Sequence, residues 1–158
     1  MKGRSLSLAL PVLAAISLSS SGLAKASNDQ YAQFDPLDDE ITDAFTKLTW
    51  KRDVEAPLDF GTWVEAGQRC SFFGPAYRLP TVKELQTLVD EQPTQVGTTL
   101  RYLDPDAFPA ETSNVSAPYW SETRESSTNY YVVDFQTGAS LVQDKETKAY
   151  VRCVKGPT

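Results

Sequence analysis

Histidine is absent from this chain of 158 residues. With it go the commonest general base at neutral pH, the commonest zinc ligand, and every Ser-His-Asp or Cys-His arrangement. Cysteine is almost as scarce, with Cys70 and Cys153 alone, and no Cys-x-x-Cys spacing that would suggest a dithiol redox site. No glycine-rich phosphate loop is present. Basic residues number 15 against 21 acidic, a formal charge of −6, which disfavours nucleic acid and other polyanions as partners. Carboxylate chemistry is what is left. A glycosidase needs two acids facing each other at about 5 to 10 Å, and nothing in the sequence singles out such a pair. No catalytic residue, cofactor or metal is therefore expected, and an enzyme of unidentified class stays only as an alternative.

Long apolar runs are also lacking. The one candidate, Leu6 to Leu18, is interrupted by Pro11 and falls short of the roughly 20 residues that a membrane-spanning helix needs. Lys2 and Arg4 precede it and Ala24-Lys25-Ala26 follows, the pattern of a secretory signal peptide over residues 1–26. The expected destination is the periplasm or the outside of the cell, with no stable membrane insertion after cleavage. No cysteine stands near the cleavage position to carry a lipid. In an oxidising compartment the two cysteines are expected to form one disulfide. Residues 27–44, with Pro36 and the run Asp38-Asp39-Glu40, read as a flexible acidic arm ahead of a single domain over residues 45–155.

Within that domain, Leu48-Thr49-Trp50 alternates as an edge or hairpin strand with Trp50 turned inward. Thr62 and Glu65 have the spacing of a capping box, and Trp63, Ala66 and Cys70 then share one helical face. The phrase Arg78-Leu79-Pro80-Thr81-Val82-Lys83-Glu84-Leu85 holds a second box, Thr81 with Glu84, opening a helix whose buried face carries Leu85, Leu88 and Val89. Residues 91–118 hold Pro93, Gly97, Pro105, Pro109 and Pro118 and read as a long excursion without regular elements. Asp104 and Asp106 could serve a cation or simply cap the turn ahead of Phe108. Asn114-Val115-Ser116 is formally a glycosylation sequon.

Beyond it, Tyr119-Trp120-Ser121 starts a strand, followed by a polar segment from Glu122 to Thr128. Residues 130–135 and 139–142 form a hairpin about Gly138, and residues 150–154 form the closing strand. Tyr119 and Trp120 offer rings that suit a ligand and suit a small core equally. They stand, with Asp104 and Asp106, as candidate ligand-binding residues.

Six of these stretches, in order, resemble the Lcl C-terminal domain family, named for the Legionella collagen-like protein. They are Leu48-Thr49-Trp50, Ala66 with Cys70, Arg78 to Leu85, Tyr119-Trp120-Ser121, Val133-Asp134-Phe135 with Gly138, and Val151-Arg152-Cys153-Val154. Tyr77 stands where the family has tryptophan, and Glu122 where it often has a second serine. The resemblance implies an α+β, C-type-lectin-like domain with two short helices packed on twisted antiparallel strands and one disulfide. It makes Trp50, Arg78, Pro80, Thr81, Glu84, Leu85, Gly138 and Arg152 structural, and Trp63 joins them from the helical face it shares with Ala66 and Cys70. It also implies adhesion to sulfated polysaccharides, although collagen-like repeats are missing here and the acid excess opposes a sulfated ligand. The combined expectation is a secreted or periplasmic, non-catalytic binding or adhesion module for a polysaccharide. A structural or assembly component meeting another envelope protein is the alternative.

Overall fold

A computed structural model describes residues 30–31, 35–52, 59–109 and 118–156; the expected signal peptide and the sequon lie outside them. In chain order the elements are β1 (Glu40–Thr42), β2 (Thr49–Lys51), β3 (Phe60–Gly61), α1 (Trp63–Phe72), α2 (Val82–Gln86), β4 (Thr94–Val96) and β5 (Thr99–Arg101). After these come β6 (Tyr119–Arg124), β7 (Asn129–Asp134), β8 (Ala139–Asp144), β9 (Ala149–Tyr150) and β10 (Val154–Lys155). One sheet has the order β3-β9-β6-β7-β8, a second β1-β2-β10, and β4-β5 is a separate hairpin. Pairing is antiparallel except between β6 and β9. The expected α+β class with two short helices and one disulfide is what the chain forms.

Period-two alternation divides the apolar residues between two cores. Tyr119, Val133, Phe135 and Val154 pack with Trp50, Leu85 and Phe108. Their chain neighbours Trp120, Val132 and Cys153 pack with Ala66, Cys70 and Leu79. The central strands thus bury both faces, α1 covering one and α2 the other, which is why β6 and β7 are so rich in β-branched and aromatic residues.

Both capping boxes form. In α1 the Thr62 hydroxyl accepts from the Glu65 amide while the Glu65 carboxylate accepts from the Thr62 amide; Thr81 and Glu84 do the same in α2. Trp63 lies stacked on Tyr130, with ring centroids 4.0 Å apart, and its indole donates to the Ser121 carbonyl at 3.0 Å. Gly138 takes φ +70°, and a Cβ there would lie 3.2 Å from Val89 and 3.3 Å from Tyr102, so both the turn and the space require glycine. Cys70, in α1, is joined to Cys153, with Cα atoms 5.3 Å apart across 83 residues of sequence.

Several expectations need correction. Residues 35–44 are not a flexible arm: β1 pairs with β2, and Asp43 is fully buried, its carboxylate accepting from the Phe45 and Thr46 amides. Asp43 is thus an internal acceptor, and Glu40 and Asp39 meet Lys155 and Lys51, so the domain starts before residue 45. Of the two readings of β2, hairpin or edge, the hairpin holds: β2 pairs antiparallel with β1 and is the middle strand of its sheet. Helix α2 stops at Gln86, and Leu88 and Val89 follow in the turn after it. The 91–118 excursion contains the β4-β5 hairpin, turned by Gly97 at φ +60°. Strand β6 runs to Arg124, into the first three residues of the polar segment read from Glu122 to Thr128.

The closing strand is broken as well. β9 joins the large sheet and β10 the three-stranded one, with residues 151–153 passing between them.

Replacing Cys153 by Ser is expected to lower the melting temperature by roughly 10 °C or more, since closing so long a loop stabilises by about 4 to 5 kcal/mol on the chain-entropy model. It should also leave Cys70 titratable by a thiol reagent. A melting curve with the wild-type midpoint, or a titratable thiol in the unfolded but unreduced wild type, would contradict the staple. Thr81→Ala should cost about 1 kcal/mol in urea titration. Glu84→Ala should cost more, because it removes the reciprocal cap together with the Arg78 partner.

Candidate functional site

The arginine of the Arg-Leu-Pro-Thr phrase explains why its glutamate stands six positions later. Arg78 Nη1 and Nη2 grip the two Glu84 carboxylate oxygens at 2.8 and 2.7 Å, while the same carboxylate accepts from the Thr81 amide at 2.7 Å. Burial alone works against a charge on Glu84, but the fork and the amide outweigh it and hold the carboxyl below its usual range. Arg78 also exchanges backbone hydrogen bonds with Val154, 3.0 Å each way. The Pro80 carbonyl accepts from the Glu122 amide at 2.7 Å, and the Val82 amide donates to Thr123 at 2.9 Å. The phrase is an anchor that fixes α2 on β6 and on the chain end, and Glu122 adds a carboxylate 3.7 Å from Arg78.

Two sequence candidates for ligand contact belong to the core. Tyr119 is 2% exposed and Trp120 0%, with the Trp120 indole donating to the Gly61 carbonyl at 2.8 Å. Neither ring presents a face to solvent, because each packs between the sheet and its cover. Asp104 and Asp106 act on their own turn: Asp104 Oδ1 accepts from the Asp106 amide at 2.8 Å and the Ala107 amide at 3.2 Å, seating Phe108 in the core at 0% exposure. Among the described residues no three ligating side chains come together as they would around a metal ion.

The concave surface lies elsewhere. A cleft of about 440 Å³ opens between the segment after α2 and the start of the described chain, lined by Thr87 to Gln92, Phe45, Asp104, Gln30 and Tyr31. Asp43 builds the turn that presents Phe45, whose ring is 64% exposed. The Gln30 side chain donates to Asp43 at 2.8 Å and to the Thr87 carbonyl at 3.2 Å, strapping the early residues across one wall. The Asp90 amide donates to the Tyr102 carbonyl at 2.8 Å, and Asp90 Oδ1 accepts from the Gln92 amide at 2.9 Å. Of the sequence candidates the cleft contains Asp104; Asp106, Tyr119 and Trp120 do not line it. Phe45 and the run Asp90-Glu91-Gln92 were missed, although an exposed ring in a turn and a polar run after a helix are the marks by which they could be found.

A model of the Lcl C-terminal domain matches residues 39–155. The chain belongs to the Lcl C-terminal domain family. A search among curated proteins gave no match. The match begins at Asp39, in agreement with β1 and against a domain start at residue 45.

Both departures from the usual Lcl C-terminal domain motif have a partner. Glu122 faces Arg78, and the Tyr77 hydroxyl bonds the Glu40 carboxylate. Glu40 also receives Lys155 at 2.6 Å and Lys51 at 3.1 Å, and Lys51 reaches Asp39 at 2.8 Å. Lys51 and Lys155 lie about 5 Å from the Tyr77 ring centroid. Arg69 is likewise paired with Asp59. The cations on this side of the Lcl C-terminal domain are thus occupied by its own carboxylates, which leaves little positive field for a sulfated polymer.

Partial burial would raise the Glu40 pKa, but the hydrogen bonds from Lys155, Tyr77 and Lys51 overcome it and lower the value from 4.5 to about 2. A depressed carboxylate stabilises the fold above its unfolded pKa and loses that contribution as pH falls through the folded one. Stability measured by chemical denaturation should therefore decline between pH 4.5 and pH 2 by more in wild type than in Glu40→Gln. The variant should be the less stable of the two at neutral pH. Parallel pH profiles would exclude this role.

Proposed function

We propose that this Lcl C-terminal domain is a secreted or periplasmic binding module of C-type-lectin-like form, non-catalytic, whose ligand site is the cleft beside Phe45. The signal-peptide pattern at residues 1–26 supports export. The cleft carries the reading. Its volume falls in the range of small-ligand sites, about 300 to 1,000 Å³, and its lining combines one exposed ring with the carboxylates of Asp90, Glu91 and Asp104 and the amides of Gln30 and Gln92. A ring that stacks on the apolar face of a pyranose, beside planar acceptors and donors for hydroxyls, suits a polyhydroxylated ligand.

A second reading, assembly with another envelope protein, has one observation in its favour. Strand β8 is the outer strand of the large sheet, and Leu141 and Val142 on it are 48% and 47% exposed.

A glycan-array screen of the oxidised mature chain, with neutral, amino and sulfated polymers and with and without calcium, distinguishes the two. The expected result is dose-dependent binding that Phe45→Ala reduces at least roughly tenfold, with an unchanged melting temperature because the ring is exposed. A blank array, together with a crosslinked envelope partner that is lost on Leu141→Lys, would replace the binding reading by the assembly one.

A further inference from the structure

Charge is unevenly placed around the cleft. Asp90, Glu91 and Asp104 line it, and among the described residues neither lysine nor arginine does. Asp43 stands behind the Gln30 side chain that it holds. A concave wall of one sign concentrates field lines and raises the local concentration of the opposite charge. Sulfate is repelled from such a place and an ammonium group is drawn into it.

A second, independent feature lies in the same wall. The Tyr31 ring meets Phe108 edge to face, with centroids 5.6 Å apart, while its hydroxyl oxygen is sealed from solvent and has no hydrogen-bond partner among the described residues. Burial first, and then the charges of Asp43, Asp104 and Asp90, push the phenol well above its ordinary pKa, with Arg152 acting in the opposite direction. The hydroxyl therefore stays neutral behind the cleft wall and adds no charge to it.

We propose that the cleft takes an amino sugar whose amine is unacylated and protonated, the ammonium facing Asp90, Glu91 and Asp104 and the ring lying against Phe45. This rests on the reading of the cleft as a glycan site and specifies its charge class. Hydrogen bonds between an ammonium and a carboxylate are roughly twice as strong as neutral ones, so acylating the amine removes the larger share of the polar recognition. The sugar hydroxyls are left to the Gln30 and Gln92 amides. A lysine side chain offers the same charge but nothing for those groups to bind, which is why the sugar is preferred.

Calorimetric titration of the exported, disulfide-bonded chain with a glucosamine hexamer, an N-acetylglucosamine hexamer and a lysine hexapeptide tests this, at about pH 6, where amines are protonated and carboxylates ionised. The glucosamine hexamer should bind at least roughly tenfold tighter than the acetylated one, and that preference should shrink with added salt. Asp90→Asn with Glu91→Gln should abolish the preference while leaving the melting temperature and the binding of the acetylated hexamer in place. Equal binding of both hexamers, lost in Phe45→Ala, would overturn the charge assignment and leave the glycan cleft standing. Binding of neither would overturn both, and tighter binding of the lysine peptide would replace the sugar by a basic peptide.

Discussion

Two arginines with almost no solvent exposure, Arg52 at 3% and Arg152 at 1%, set the terms for the rest of the structure. A guanidinium cannot shed its charge, so burying it requires acceptors in fixed places. Arg152 donates to the carbonyls of Lys51 and Arg52, and its guanidinium carbon lies 4.4 Å from the Phe108 ring centroid and 5.5 Å from that of Tyr119. Arg52 in turn donates to carbonyls of Asp35, Pro36, Asp38, Asp106 and Ala107. Three separate stretches of backbone, 35–38, 51–52 and 106–107, are positioned by two side chains, and either one removed would leave carbonyls without that donor. The turn that seats Phe108 and carries Asp104 to the cleft is one of those stretches.

From that arrangement the two cores follow. The segment that supplies Arg152 also supplies Val151 and Cys153 to one side and Val154 to the other, so the closing chain is a shared wall and not a lid. The Arg78 fork then ties the start of α2 to the same wall through Val154. Helix α2 is only one and a half turns long, too short to persist alone. What keeps it in place is capping at one end and docking on β6 and β7. The cleft depends on this in turn, because Thr87 to Gln92 leave α2 directly and inherit its orientation.

Much of the fold was legible because its signals are local. A capping box reports itself through two residues three apart, and both were identified; Gly138 and the hairpin about it, the pairing of Cys70 with Cys153, and the inward Trp50 were read from turn chemistry, cysteine count and alternation. Segments whose chemistry is completed by distant residues were misread. Asp39 and Glu40 look like solvated acids until Lys51 and Lys155 arrive from elsewhere in the chain, and Arg52 takes the backbone carbonyl of Asp38. Trp120 looks equally suited to solvent or core until α1 covers it. The cleft was illegible for the same reason in stronger form: its lining comes from residues 30–31, 45, 87–92 and 104, and no window of sequence contains more than one wall. Asp104 was singled out for its spacing to Asp106, but it reaches the cleft without it.

The disulfide has a mechanical side. A tension applied between the two ends of the domain enters through β1 and β10, which flank β2 in one sheet, and then meets the Cys70–Cys153 bond. Everything between those cysteines lies off the load path, covalently bypassed, including the wall from Thr87 to Asp104. Gln30, Tyr31 and Phe45 lie on it. Stretching the chain therefore pulls one side of the cleft away from a side that cannot follow, so a grip formed there weakens under pull well before the bypassed part of the fold begins to unravel.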